Sequence, residues 1–314
     1  MRRKTTASLP SSRANHPGRS SRVGNDCFLL VERFKDHEEI ASMSSYKLLV
    51  RLFGEQCVVE KADAATQVVI KPNKDVPSDS LQNPSDPDAG YCGHKGKGFQ
   101  VQVMETYSPD KSQPNLITHV EVEAAHESDA NALLPAVEGA RNRNLAPTEL
   151  LADSLYGSDD NVEKAKEQGI EVVAPAMGGR EQAVTLADFQ FSETDEVTAC
   201  PAGRLPQRTK IGKQGGRIVH FEKTVCDNCP KQSDCPVKRK KQRCTISYDA
   251  KSLRLARRRK QEKTPEFKER YRYRAGVEAT MSDLDRITGI KHLRVRGKPQ
   301  VRLAATLGRF RGRS

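Results

Sequence analysis

Residues 148–175, TELLADSLYGSDDNVEKAKEQGIEVVAP, admit little besides strand, turn, helix and strand. Glu149-Leu150-Leu151-Ala152 reads as a short interior strand. Ser158 is placed to cap a helix, with Asp159 and Asp160 in its first turn opposing the helix dipole. Gly169 then closes that helix at the C′ position, and Ile170-Glu171-Val172-Val173 forms the next strand. In an open α/β sheet, ligands bind beyond the carboxyl ends of the strands, which is where Asp153 falls. A carboxylate there can hold a divalent metal; the plainer alternative is a turn residue.

A second acidic position lies near the C-terminus. Residues 264–287, TPEFKERYRYRAGVEATMSDLDRI, read as a helix beginning at Thr264 with Pro265 in its first position. Tyr271, Arg274 and Glu278 fall at i, i+3 and i+7 and share one face. A glutamate flanked by a guanidinium and a phenol can reach a metal while its neighbours hold phosphate. The alternative is a surface Arg–Glu pair of nearly neutral energy.

Together these segments resemble a known family. Tyr271-x2-Arg274-x3-Glu278 is similar to the Y-R-E part of the Y-x2-R-x3-E-x6-K signature of DDE transposases from bacterial insertion sequences. LLADSLYGS, at 150–158, is similar to the segment bearing their second aspartate. DPDAGYCGHKGKGFQVQVMET, at 86–106, resembles the lead-in and second strand of their catalytic domain. The resemblance covers roughly residues 27–308. It implies an α/β, RNase H-like mixed sheet whose three acids bind two Mg²⁺ or Mn²⁺ ions. Asp153 and Glu278 are then catalytic metal ligands, and Tyr271 and Arg274 contact DNA. The implied partners are insertion-sequence ends, target DNA and a second copy of the chain; the implied location is bacterial cytoplasm, at the nucleoid.

Two departures qualify that reading. The lysine of the signature is replaced by Asp285, with Arg286 next to it. The family's first aspartate lies on a first strand upstream of residues 86–106, and no such strand is legible here. The expectation is therefore a sheet lacking its first strand, in a copy shortened at its N-terminus and inactive in transposition. The alternative is a non-catalytic DNA-binding remnant. A standalone zinc-ribbon regulator would leave the strand-Asp-helix unit and the Tyr-Arg-Glu helix unexplained.

Charge distribution points to the same partner. Residues 251–314 carry 20 Lys/Arg against 6 Asp/Glu, and residues 1–25 carry 6 basic residues and no acid, so the middle is net acidic. Basic ends around an acidic centre suit a polyanion, with nucleic acid first among the candidates. Arg257, Arg258 and Arg259 in RLARRRKQEK, and Lys291, Arg294 and Arg296 in KHLRVRGK, are the expected DNA contacts. No apolar run approaches a membrane span, so no membrane partner is expected. With 36% hydrophobic residues, 5% aromatic and no Trp, the core should be modest and aliphatic.

The expected domains are a disordered basic segment at 1–25, a helical remnant at 26–57 and a linker at 58–88. The RNase H-like catalytic domain follows at 89–175 plus 250–308, interrupted by a Cys-rich β insertion at 176–249 and ending in a basic helical C-terminus. Phe99–Val103 and Ile117–Val122 alternate and read as an antiparallel hairpin, followed by a helix capped by Ser128. The segment His94–Gly98 leads into a strand rather than opening a helix, so it reads as a turn and not as a phosphate loop. Cys200, Cys226, Cys229 and Cys235 are candidate ligands of a structural Zn²⁺, with Cys244 just beyond; free thiols are the alternative.

Overall fold

In the computed structural model, residues 17–62, 65–110, 112–178, 182–212 and 215–308 are described. In chain order the elements are α1 (Pro17–Phe34), α2 (Glu38–Ser42), α3 (Ser44–Gln56), β1 (Cys57–Ala62), β2 (Ala65–Ile70), β3 (Gly90–Cys92), β4 (Gly96–Glu105) and β5 (Ile117–Ala124). There follow α4 (Leu133–Arg141), β6 (Glu149–Leu151), α5 (Asp159–Glu167), β7 (Glu171–Val173), β8 (Gln190–Phe191), β9 (Val197–Ala199), β10 (Arg208–Ile211), β11 (Arg217–Phe221) and α6 (Lys223–Asp227). The last are β12 (Lys238–Arg239), β13 (Cys244–Tyr248), α7 (Ala250–Gln261), α8 (Pro265–Tyr271), α9 (Ala275–Thr288) and α10 (Lys298–Gly308). The chain divides into two compact units, one within 17–101, 122–127 and 290–308, the other within 102–121 and 128–289.

In the first unit, α1 starts at Pro17, well before the helical remnant expected from residue 26. Most of the segment expected to be disordered lies outside the described residues, but 17–25 are helical. Packing rather than propensity accounts for this: Gly24 is buried against the side chains of Val68, Ile70 and Cys57, and a Cβ there would stand 3.2 Å from Ile70. The expected linker is likewise partly a hairpin. β1 and β2 pair antiparallel from Cys57↔Ile70 to Ala62↔Ala65, using β-branched residues on both strands. Asp86 is buried and accepts a hydrogen bond from the Gly297 backbone at 3.1 Å.

β3, β4 and β5 form one sheet in that order, and Gly96 and Gly98, at φ 84° and 134°, shape the turn into β4. Thr106 N donates to Leu116 O, and Ala125 N donates to Gly98 O, the reversed order of an antiparallel pair. β6 and β7 form a separate parallel ladder, Glu149↔Glu171 to Leu151↔Val173. The expected single mixed sheet is therefore not formed among the described residues. Side chains, not a backbone ladder, tie the end of β4 to the β6 region: Tyr156 Oη donates to Gln102 Oε1 at 2.5 Å, and Tyr107 bonds Glu149.

In the second unit, α4 presents Leu133 and Val137 to a core completed by Ala165 and Ile170. Ser128 does not cap α4 with its side chain, because a 3₁₀ turn over Asp129–Asn131 intervenes. The Cys-rich segment builds a four-stranded antiparallel sheet, β10-β11-β13-β12. Its core of Phe189, Val197, Val219, Phe221, Ile246 and Tyr248 includes Leu253 of α7. Asp249 starts α7 by accepting the Ser252 N–H at 2.7 Å.

Candidate active site

Asp153 lies just beyond the carboxyl end of β6, where the ladder gives its last bond from Ala152 N to Val173 O. Its main-chain oxygen accepts from the N–H groups of Tyr156 and Gly157, folding LYGS into a tight turn, and its Oδ1 accepts from Ser154 N at 2.6 Å. Ser158 Oγ caps α5 through Asn161 N at 3.2 Å, and Gly169 adopts φ 77° beyond the helix end. Gly157 packs closely against β7: a Cβ would stand 2.6 Å from that of Ala174. The Ser158 cap and the Gly169 stop are local signals read from the sequence; Gly157 and the turn on the Asp153 carbonyl are not.

The expected long helix is interrupted. α8 starts as expected, with Thr264 Oγ1 accepting from Phe267 N, but Arg272–Arg274 form a 3₁₀ turn before α9. In a 3₁₀ turn residues three apart eclipse one another, so the break brings Tyr271 and Arg274 onto one edge. Arg274 then reaches in two directions. Its Nη2 lies 3.3 Å from Asp153 Oδ2, and its Nη1 pairs with Glu278. The carboxylates of Asp153 and Glu278 therefore meet on one guanidinium, and both face solvent, at 46% and 64% exposure. Burial raises the Tyr271 phenol pKa; Arg274 opposes this, while Asp153 and Glu278 add to it.

Glu105, not singled out from the sequence, ends β4 and accepts a hydrogen bond from Thr280 Oγ1 at 2.7 Å. The strand-end argument that identified Asp153 applies equally to it. Gly276 and Thr280 mark its face of α9, and at about 100° per residue Glu278 falls on the opposite face. Glu105 thus does not complete the Asp153–Glu278 pair. Among the described residues, no group of three or more His, Cys, Asp or Glu side chains is arranged to hold a metal ion.

A second charged cluster lies at the start of β6 and β7. Arg270 pairs with Glu149 and with Glu171, the latter at 2.8 Å, and Tyr107 bonds Glu149 while stacking on Tyr273. Burial and the Glu149 hydrogen bond push the Tyr107 phenol up to about 12. Burial alone would raise the Glu149 carboxyl, but the bonds from Tyr107 and Arg270 outweigh it and hold its pKa down.

The arginines of α7 are not a free basic patch. Arg257 pairs with Asp195 at 2.7 Å and covers the Phe191 ring. Arg258 Nη2 donates to the carbonyls of Gly157 and Ala174, at 2.9 and 3.0 Å, and burial lowers its pKa. Arg259 donates to Met177 O at 3.2 Å. The run reads as basic in sequence, yet much of its charge is spent inside the second unit. Lys291, Arg294 and Arg296 are exposed in the first unit.

No helix among the described residues is long and apolar enough to cross a membrane. No curated protein and no solved structure matches the chain. Residues 199–309, from Ala199 at the end of β9 past the end of α10 and including Arg274 and Glu278, match the family model described as a transposase DDE domain.

Proposed function

We propose that the second unit carries the carboxylate site of a DDE transposase, which cuts a DNA strand and joins it to a target by phosphoryl transfer. One observation carries this reading: Asp153 and Arg274, 121 residues apart, meet at a strand end, and the same guanidinium holds Glu278. The resemblance in sequence required that meeting; nothing in the local spacing of either segment did. The match to a transposase DDE domain over residues 199–309 supports the same chemistry.

The two carboxylates suit a hard divalent cation such as Mg²⁺ or Mn²⁺, since both are oxygen donors already gathered around one positive charge. Bound there, such an ion would polarise a phosphoryl oxygen and acidify a water. Arg274 has the planar fork that pairs with phosphate, and Tyr271 stands beside it. Two carboxylates are too few for a two-metal site, so we further propose that this 314-residue chain binds DNA without completing the reaction.

Fluorescence anisotropy with unrelated DNA duplexes across a salt series tests the DNA-binding part. Binding should be sequence-independent and should weaken linearly in log salt as condensed counter-ions compete. Reversing the charge of Lys291, Arg294 and Arg296 together should reduce the slope by about 2 to 3. No binding at low salt would end this reading, and an unchanged slope would remove these three residues from the interface.

A further inference from the structure

Residues Cys200, Cys226, Cys229 and Cys235 all line one cavity of about 150 Å³ in the second unit. They come from separate places in the chain. Cys200 follows β9 and opens a turn closed by Gly203 N to Cys200 O at 2.8 Å, with Gly203 at φ 74°. Cys226 lies in α6, Cys229 follows it with its N–H on Cys226 O, and Cys235 lies just before β12. Lys231 Nζ donates to Pro201 O at 3.0 Å, tying the Cys226–Cys235 excursion to the Cys200 turn.

We propose that this cavity is a zinc site with Cys200, Cys226, Cys229 and Cys235 as its four ligands. All eight cysteines carry free thiols, so no disulfide competes for these four. Cys244 does not line the cavity: it is completely buried in β13, within the sheet core, where its side chain hydrogen-bonds that of Cys226. In this structure the four thiols are not set at ligand spacing. One χ1 rotation moves a cysteine sulfur between staggered positions, so cysteines that line one cavity can turn their sulfurs into it with the backbone in place. Four soft thiolates select Zn²⁺ over Mg²⁺ or Ca²⁺, and a closed four-sulfur set leaves no open position for catalysis, so the role is structural.

The segment has a physical need for such a tie. Between β11 and β13 the chain makes a long excursion whose only regular pieces are the five residues of α6 and the two of β12. Its polar contacts are mostly local, such as Asn228 Nδ2 to Thr224 O and Gln232 Nε2 to Asp227 O. Apart from the Lys231 bond and the two-residue ladder of β12 on β13, the half-buried Cys226, Cys235 and Val237 join it to the sheet core. A metal bound by thiols from both sides would fix the excursion, its binding energy becoming folding energy.

The full chain, purified under reducing conditions with Zn²⁺ and passed through a desalting column, should retain one zinc per chain. Replacing Zn²⁺ with Co²⁺ should give the intense thiolate-to-metal charge-transfer and tetrahedral ligand-field bands of a sulfur-rich site. Both signals should disappear in C229S and C235S and persist in C27S and C92S. Should the first two variants fail to fold, alkylation of the wild-type chain followed by mass spectrometry decides the matter. Zinc should then protect these four cysteines and leave the others as reactive as without metal. Folded wild-type chain without zinc, an octahedral Co²⁺ spectrum, or protection that spares any of the four would overturn the proposal.

Discussion

Arg274 Nη2 stands 3.3 Å from Asp153 Oδ2, the contact that joins the turn after β6 to the helix carrying Glu278. In the proposed site, one guanidinium is shared by two solvent-facing carboxylates. Removing it in R274Q leaves two like charges facing each other, a repulsion that a cation relieves. Mn²⁺ affinity, read by calorimetry, should rise about tenfold, equivalent to roughly 1.4 kcal/mol. Adding D153N should abolish the gain. The cost in stability should stay below about 1 kcal/mol, because both ion pairs are screened by solvent. Unchanged Mn²⁺ affinity in R274Q would mean that the arginine does not stand in for an ion.

Arg257 and Arg258 are neighbours in one basic run, and the structure gives them different work. Arg258 is half-buried, donates to two main-chain carbonyls and has a buried Nη1 with no partner among the described residues. R258A should therefore cost about 2–4 kcal/mol in urea unfolding, since charged hydrogen bonds to buried carbonyls are lost. R257A removes an exposed ion pair and should cost less than about 1 kcal/mol. Equal costs would contradict this division.

Elements whose signals are local were legible in the sequence. The Ser158 cap, the Gly169 stop and Pro265 at the start of α8 each act through the next few residues, and each stands where it was read. What failed needed distant partners. The helical state of residues 17–25 depends on Gly24 meeting Val68 and Ile70, and the inward turn of Arg258 depends on Gly157 and Ala174. The 3₁₀ turn at Arg272–Arg274 also escaped, because helical periodicity continues on both sides of it. The candidate site lies between these cases: its residues were readable, while their meeting on Arg274 is a tertiary fact.

Gly157 holds the Asp153 turn against β7. A methyl group there would overlap Ala174 Cβ at 2.6 Å and press on Arg258 Nη2 at 3.2 Å. G157A should lower stability by about 1–3 kcal/mol, the usual cost of overpacking. A second substitution separates crowding from backbone effects: A174G should recover part of the loss when combined with G157A, and little or none if the backbone alone resists alanine.

The Tyr107–Glu149–Arg270 cluster sets both limbs of a pH profile. Glu149 has a folded-state pKa below its ordinary 4.5, so the unfolded chain binds more protons as acid is added. Its stabilisation is complete above that value and is lost as pH falls through the lowered one. E149Q should flatten this acid limb in thermal melts. Tyr107 behaves oppositely: raised from 10.0 to about 12, it favours the folded state below pH 10 and ceases to as pH climbs toward 12. Y107F should remove that alkaline decline. A wild-type acid limb that persists in E149Q would assign it to other carboxylates, such as Asp188, whose pKa is also held down.

The sharpest expectation concerns DNA cleavage. Two-metal phosphoryl transfer needs carboxylates that bridge and flank both ions, and losing one ligand costs orders of magnitude in rate. Near Asp153 and Glu278 the described residues offer no third donor. Glu105 serves the Thr280 face of α9, and Asp86 is committed to the Gly297 backbone within the first unit. The chain should therefore bind supercoiled DNA in Mg²⁺ or Mn²⁺ and leave it uncut. Nicking that needs Mn²⁺ and disappears in D153A would refute the expected inactivity while upholding the site, and would require another carboxylate to move in. Nicking indifferent to both D153A and E278A would move the chemistry away from this pair altogether.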